Sequence, residues 1–206
     1  MDTNAEAGSG LLTLDFLFIG GNLAINLVNT WRKRRVPGSR RSLRFDLFWD
    51  LSRVELWWRM ACDQHGLQGY EGYTWPEENF SLLLGLRAEL RSLFESMIGK
   101  REDSPPVPML NRILKRGSFV VGTEGSTVTR KYLSREGERD ALLEIALGAA
   151  EFLATVDRTR FHGCRNDQCL ALFYDQTKSG TRRWCRAECM NRARARENYR
   201  KRKEEA

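Results

Sequence analysis

Histidine is scarce in this chain: His65 and His162 are the only two among 206 residues. That leaves little material for histidine-dependent acid–base chemistry. Gly-x-Ser-x-Gly, the P-loop and the dinucleotide-binding fingerprint are all absent, so the reaction classes they mark have no support. Paired carboxylates such as Glu77 and Glu78 suit the positive end of a helix better than a catalytic dyad. The chain is expected not to be an enzyme, and no catalytic residue is assigned. No run of about twenty uncharged apolar residues exists, as a membrane-spanning helix would need. The best stretch, Leu11 to Val28, is interrupted by Asp15 and by several Asn and Gly. No membrane partner is therefore expected. The first ten residues are small and acidic rather than basic and apolar, so a secretion signal is not expected either. The cytoplasm is the expected location, and residues 1–15 read as a disordered or frayed terminus. Cys-x-x-Cys, the usual redox spacing, is missing as well.

What cysteine there is stands in a pattern. Four residues separate Cys164 from Cys169, three separate Cys185 from Cys189, and fifteen lie between the pairs. Two close pairs at that separation can each present two thiolates from a turn, and four thiolates complete a tetrahedral zinc shell. Disulfides are the competing reading, but thiols in the expected compartment stay reduced. His162 is an alternative ligand two residues before Cys164, although four cysteines already suffice. The reading is one structural zinc ion held by Cys164, Cys169, Cys185 and Cys189. Such a site is closed, with no position left for a substrate. Cys62 has no partner spacing and reads as a core thiol.

Between the pairs, Ala171–Tyr174 reads as a strand, Asp175–Gly180 as a turn and Thr181–Trp184 as a return strand. After Cys189 the chain has no Gly or Pro and many helix formers, with Cys189 in the first turn, where the helix dipole favours a thiolate. Turn, hairpin, second turn and helix are the order of a treble-clef-like zinc finger. A zinc ion with four thiolates carries a formal charge of −2, which Arg182, Arg183, Arg186 and Arg192 are near enough in sequence to offset.

Charge is distributed unevenly. Residues 157–206 hold 14 of the 34 Lys and Arg but only 7 of the 27 Asp and Glu, so the entire net charge of +7 lies there. Charge concentrated beside a folded anchor points to a polyanion partner; a solvated basic tail is the alternative. On a helical wheel Arg192, Arg196, Tyr199, Arg200 and Lys203 fall within a sector of about 100°, with Arg194 and Lys201 opposite.

Upstream, Leu23–Val28 suits a short buried helix after the Gly20-Gly21 pair. Arg32–Arg35, Arg40, Arg41 and Arg44 flank Pro37-Gly38 and read as a basic loop. Phe45–His65 reads as one amphipathic helix stopped by Gly66 and Gly69. A helix begins at Pro76-Glu-Glu, with Leu82, Leu86, Leu90, Leu93 and Phe94 as its stripe. A break at Ser104–Pro108 precedes a short helix near 109–115. A hairpin is expected near 118–132. Leu142, Ile145, Ala149, Phe152 and Val156 mark a last helix ending near Asp157. With almost no linker before the cysteine module, the two parts are expected to pack together.

The C-terminal stretch resembles the CGNR-type zinc finger. It keeps Cys-x4-Cys, the aromatic strand residues Phe173 and Tyr174, the run Arg182-Arg183-Trp184-Cys185, and Asn191-Arg192 before a basic helix. It departs at Met190, where the family has Gly, and in a second pair one residue shorter than usual. The N-terminal stretch resembles the opening of the helical ABATE domain, through Gly20, Gly21, Ala24, Val28, Asn29 and Thr30. Asn26 stands where that family has an acidic residue; Asn26 and Asn29 are read as satisfying backbone groups near a helix end. These resemblances imply a transcription regulator.

The expected fold class is mainly α with small β-hairpins. The expected organisation is a helical domain over 16–156 and a zinc finger over 157–206. The expected function is DNA-binding regulation, with nucleic-acid contacts from Arg182, Arg183, Arg192, Arg196, Arg200 and Lys203. The N-terminal domain would sense an unknown small molecule or mediate homodimerisation. The alternatives are an RNA-binding or protein-interaction module, since fold alone does not decide, and a small-molecule sensor centred on the N-terminal domain.

Overall fold

Asn22 opens the first helix. In the computed structural model, which describes residues 16–35, 42–99, 105–135 and 139–204, the Asn22 side chain accepts a hydrogen bond from the Ala24 amide and starts α1 (Leu23–Val28), all six residues of which are buried. The two glycines before it have separate reasons. A Cβ at Gly20 would lie 2.5 Å from Ile25 Cγ2, and Gly21 has φ +72°, a left-handed conformation. Asn29 ends α1.

The next segment corrects two expectations. Trp31–Arg35 and Ser42–Asp46 are not a basic loop and a helix start; they are strands β1 and β2 of an antiparallel hairpin, with Lys33 opposite Arg44 and Arg32 opposite Phe45. Pro37, Gly38, Arg40 and Arg41 lie outside the described residues, as do residues 1–15. Helix α2 (Leu51–His65) begins later than its amphipathic pattern suggests, because the Asp50 carboxylate caps it by accepting from the Arg53 amide. It ends at Gly66, whose φ of 63° makes the left-handed cap.

Helix α3 (Glu77–Ile98) follows Pro76 with two glutamates in its first turn. Leu83, Leu86, Leu90, Leu93 and Phe94 face the core. Leu83 takes the place expected of Leu82, which is only partly buried. Then come α4 (Pro108–Leu114), the hairpin of β3 (Gly117–Glu124) with β4 (Thr127–Ser134), and α5 (Ala141–Thr155). Asp140 caps α5 through the amides of Leu142 and Leu143. A single 3-10 turn leads into β5 (Phe161–Gly163), which pairs antiparallel with β6 (Leu172–Tyr174), and α6 (Ala187–Glu204) closes the described chain. The protein is thus mainly helical, with small two-stranded antiparallel sheets.

Strand β6 finds its partner upstream, in β5, and not in Thr181–Trp184. The latter segment is held by other means. The Arg182 amide donates to the buried Asp175 carboxylate at 2.8 Å, and the Arg183 carbonyl accepts a single bond from the Arg165 amide.

One hydrophobic core runs through α1–α5 and continues into β5 and β6. Phe161 and Leu172 are buried in it. Phe94, Phe152 and Phe161 form an edge-to-face triangle with centroid separations of 5.6, 5.3 and 5.2 Å. A second, smaller cluster contains Ala171, Phe173, Cys185 and Cys189. Polar bonds cross between the parts. Asn29 donates to the Leu172 carbonyl and accepts from the Leu172 amide, both at 2.8 Å. Arg91 on α3 donates to the Leu170 carbonyl at 2.7 Å. The β1–β2 hairpin is anchored by buried Arg87, which donates to Thr30 Oγ1 and to both carboxylate oxygens of Asp46. Among the described residues no helix is long and apolar enough to cross a membrane.

Candidate metal centre and basic helix

The β5–β6 connection makes the first turn of the site. Asn166 organises it: its carbonyl accepts from the Cys169 amide at 2.8 Å, its side-chain oxygen accepts from the Gln168 amide, and its side-chain nitrogen donates to the Cys189 carbonyl at 3.2 Å. One buried asparagine therefore ties the first turn to the helix that carries the second cysteine pair. The Ala171 amide donates to Cys169 Sγ at 3.4 Å.

Cys185 and Cys189 come from the approach to α6 and its first turn, and both are buried. The four Sγ atoms of Cys164, Cys169, Cys185 and Cys189 lie within 4.8 Å of one another. Cys169 and Cys185 are 3.8 Å apart, and Cys185 and Cys189 3.5 Å. Zinc–sulfur bonds of about 2.3 Å in a tetrahedron set sulfur–sulfur separations of about 3.8 Å. The donor set and its spacing fit one structural zinc ion, which would cross-link the β5–β6 turn to α6. His162 stays outside this set. Its ring lies against Phe173, with centroids 5.8 Å apart.

Thiols this close cannot all keep their ordinary acidity. Hydrogen bonds from the Cys169 and Cys185 thiols lower Cys164 to about 2. The same contacts raise their partners: the bond to Cys164 pushes Cys169 up to about 12, and Cys185 is raised by its bonds to Cys164 and Cys169. A dication that accepts all four sulfurs as thiolates removes that conflict.

The cations around the site divide into two groups. Arg182 is used inside the finger: Nε donates to the Trp184 carbonyl at 2.9 Å, a terminal nitrogen donates to the Cys185 carbonyl, and the guanidinium lies 5.0 Å over the Phe173 ring. Arg186 pairs with Glu188 at 3.5 Å. A further cation comes from an unexpected place. Arg32, on β1, has its pKa lowered chiefly by burial and then by Arg186, while Cys169, Cys185 and Cys189 pull it the other way. An arginine of the helical part thus stands in the field of three ligand sulfurs. Its run of basic neighbours hid that role in the sequence.

Helix α6 holds the other group. Cys189 is its only buried residue, so beyond the first turns the helix stands in solvent. Arg192, Arg196, Arg200 and Lys203 are exposed, as is Arg183 in the preceding segment; Tyr199 is 72% exposed. Arg196 forms an ion pair with Asp167, and Arg200 pairs with Glu197 at 3.0 Å and Glu204 at 3.8 Å. Between this side of α6 and the first turn runs an open groove of about 650 Å³, bordered by Arg165, Asp167, Arg196, Tyr199 and Arg200.

The position expected to differ, Asn26, has a structural role. Its side-chain oxygen accepts from the Gly20 amide at 2.8 Å and its nitrogen lies 2.9 Å from His65 Nε2. Asn26 therefore closes the glycine turn and holds the end of α2. Met190, where the resemblance leads us to expect a glycine, does not block α6: its amide donates to the carbonyl of Arg186, the residue just before the helix.

Residues 160–203 match the family model of the CGNR zinc finger. Residues 21–156, well over half of the chain, match the model of the ABATE family, whose description is "Putative stress-induced transcription regulator". No curated protein matches the chain.

Proposed function

Because the chain belongs to the ABATE family and carries a CGNR zinc finger, we propose that it is a zinc-dependent, DNA-binding transcription regulator of the cytoplasm, without catalytic activity. The observation that carries this reading is helix α6. It is fixed at one end by two ligand cysteines, exposed beyond them, and lined on one side by Arg192, Arg196, Arg200 and Lys203 with Tyr199 among them. Four cations on one side of an exposed helix suit phosphate contact and entry into a groove. Four phosphate contacts set a log–log salt slope near −3.6, at roughly −0.9 for each.

The N-terminal domain is assigned dimerisation within this reading. The β3–β4 hairpin exposes apolar side chains on both faces: Phe119 (61%) and Val121 (74%) alternate with Val120 (38%), and Leu133 (48%) lies opposite Ser118. A regular two-stranded arm with such residues is a surface that a second copy can cover.

The test is fluorescence anisotropy with the zinc-loaded full chain, titrated against duplex DNA and against RNA of the same sequence across a salt series. Tighter binding to the duplex with a steep negative slope supports the proposal. Preference for RNA at all salt concentrations favours an RNA-binding module. No binding of either at low salt favours a protein-interaction module.

A further inference from the structure

The basic hairpin of the helical domain and the basic helix of the finger meet at one residue. Lys33 Nζ on β1 donates to the Asp167 carbonyl at 2.7 Å, and Arg196 on α6 pairs with the Asp167 carboxylate. Cations from two parts of the chain thus converge on the rim of the groove beside α6. Arg44 extends this group. It is opposite Lys33 in the β1–β2 register, so both side chains leave the same face of the hairpin, and Arg44 is exposed. Like charges placed directly opposite on a sheet are destabilising. Lys33 and Arg44 are such a pair. A polyanion laid across it relieves that repulsion. Buried Arg87, bonded to Asp46 and Thr30, holds the hairpin base on α3.

We propose that the β1–β2 hairpin and α6 form one continuous surface for the phosphate backbone of duplex DNA, with Lys33 and Arg44 supplied as contacts by the ABATE domain. This rests on the reading of α6 as a DNA-binding helix and adds a second, sequence-independent set of contacts. Such contacts set register and affinity; base edges supply the sequence preference. Arg32 is excluded from the set because it lies on the other face of the hairpin, opposite Phe45.

The experiment uses zinc-loaded full-length protein and one duplex, with anisotropy measured over a salt series. Wild type is compared with Arg44→Ala, Lys33→Ala/Arg44→Ala, Arg196→Ala and, as a control far along the chain, exposed Arg112→Ala. Zinc content and melting temperature are checked for each. Arg44→Ala is expected to make the slope shallower by about 0.9 and to weaken binding on the order of eightfold at 0.1 M salt, the double variant by about twice that slope change. The loss is expected to be uniform across duplex sequences, and Arg112→Ala is expected to bind like wild type. Wild-type slope and affinity in Arg44→Ala and in the double variant, while Arg196→Ala is weakened, overturns the proposal and leaves α6 binding alone. An equal loss from Arg112→Ala also overturns it, because the effect is then general charge. Absence of any duplex binding by the wild type overturns the underlying reading and this proposal with it.

Discussion

Asp167 joins cations from two parts of the chain. Its carboxylate, on an exposed turn, holds Arg196, and its carbonyl holds Lys33. An exposed ion pair contributes only about 0–1 kcal/mol to stability, so Asp167→Asn is expected to melt within a few degrees of wild type. It also removes a negative charge from the rim of the groove and releases Arg196. Duplex-DNA affinity is expected to rise severalfold at low salt, an increase that disappears in the Asp167→Asn/Arg196→Ala double variant; anisotropy at two salt concentrations measures both. Equal affinity of Asp167→Asn and wild type would mean that Arg196 makes no phosphate contact. The cysteines divide just as cleanly. Cys169→Ser removes one of four sulfurs that lie within 4.8 Å of one another and is expected to lose stoichiometric zinc. Cys62, partly buried on α2 and pushed up to about 11 chiefly by desolvation, is expected to leave zinc content unchanged when replaced by Ser. Metal analysis by atomic emission reports both.

At the scale of elements, the joint between α1 and β6 carries a sharp expectation. Asn29 makes two buried bonds to the backbone of Leu172, one as donor and one as acceptor. Leaving a buried backbone group unpaired costs about 1–3 kcal/mol. Asn29→Ala is expected to lower stability by about 2–4 kcal/mol. Asn29→Asp is also expected to fail, because a carboxylate accepts from the amide but cannot donate to the carbonyl. Urea titration measures both variants. If Asn29→Asp matches wild type, the acceptor bond alone holds the joint. The sequence made much of this architecture legible. The glycine pair before α1, the Pro-Glu-Glu start of α3, the stripe of α5 and the Gly-centred β3–β4 turn each follow from a local rule, and the structure realises each of them. Two elements were not legible. β1 is nearly all arginine and lysine, so no polar–apolar alternation marks it as a strand; its pairing depends on Arg87 reaching Asp46 from a helix far along the chain. β5 is a three-residue strand before the first cysteine, too short to carry a periodicity. Its Phe161 is fixed by Phe94 and Phe152, contacts that exist only once α3 and α5 are packed. The cysteine spacing identified the four sulfurs; it could not identify Arg32, which comes from a distant strand, or Asn166, whose bond to the Cys189 carbonyl depends on how the first turn meets α6.

At the scale of the whole molecule, the described residues form two cores of unequal size, and their inequality determines what metal removal does. The larger core extends through α1–α5 and takes in Phe161 and Leu172. The smaller has Ala171, Phe173, Cys185 and Cys189 as its buried residues, and two of these are ligands. A cluster of that size cannot offset the ordering of the residues around it. Structural zinc contributes an apparent ~10–16 kcal/mol in small domains, so the finger is expected to lose its order when the ion is chelated. Helix α6 is expected to go with it, because one buried residue and a few exposed ion pairs do not hold an 18-residue helix in water. The larger core keeps its own packing and is expected to stay folded, with a lower melting temperature, since the Asn29 and Arg91 bonds to Leu172 and Leu170 are strained or lost. Hydrogen exchange followed by mass spectrometry, with and without chelator, resolves the two responses. Protection should vanish in peptides covering the first cysteine turn and in those from about residue 175 onward, and persist in those covering α1, α3 and α5; the Phe161 and Leu172 peptides should remain partly protected, because both side chains belong to the larger core. Adding zinc back should restore the finger without refolding the rest. Simultaneous loss of protection across α1, α3, α5 and α6 on chelation would show instead that the joint at Asn29 and Phe161 makes the two cores one cooperative unit. In that case any regulatory signal received by the helical domain would act on α6 through stability rather than through position.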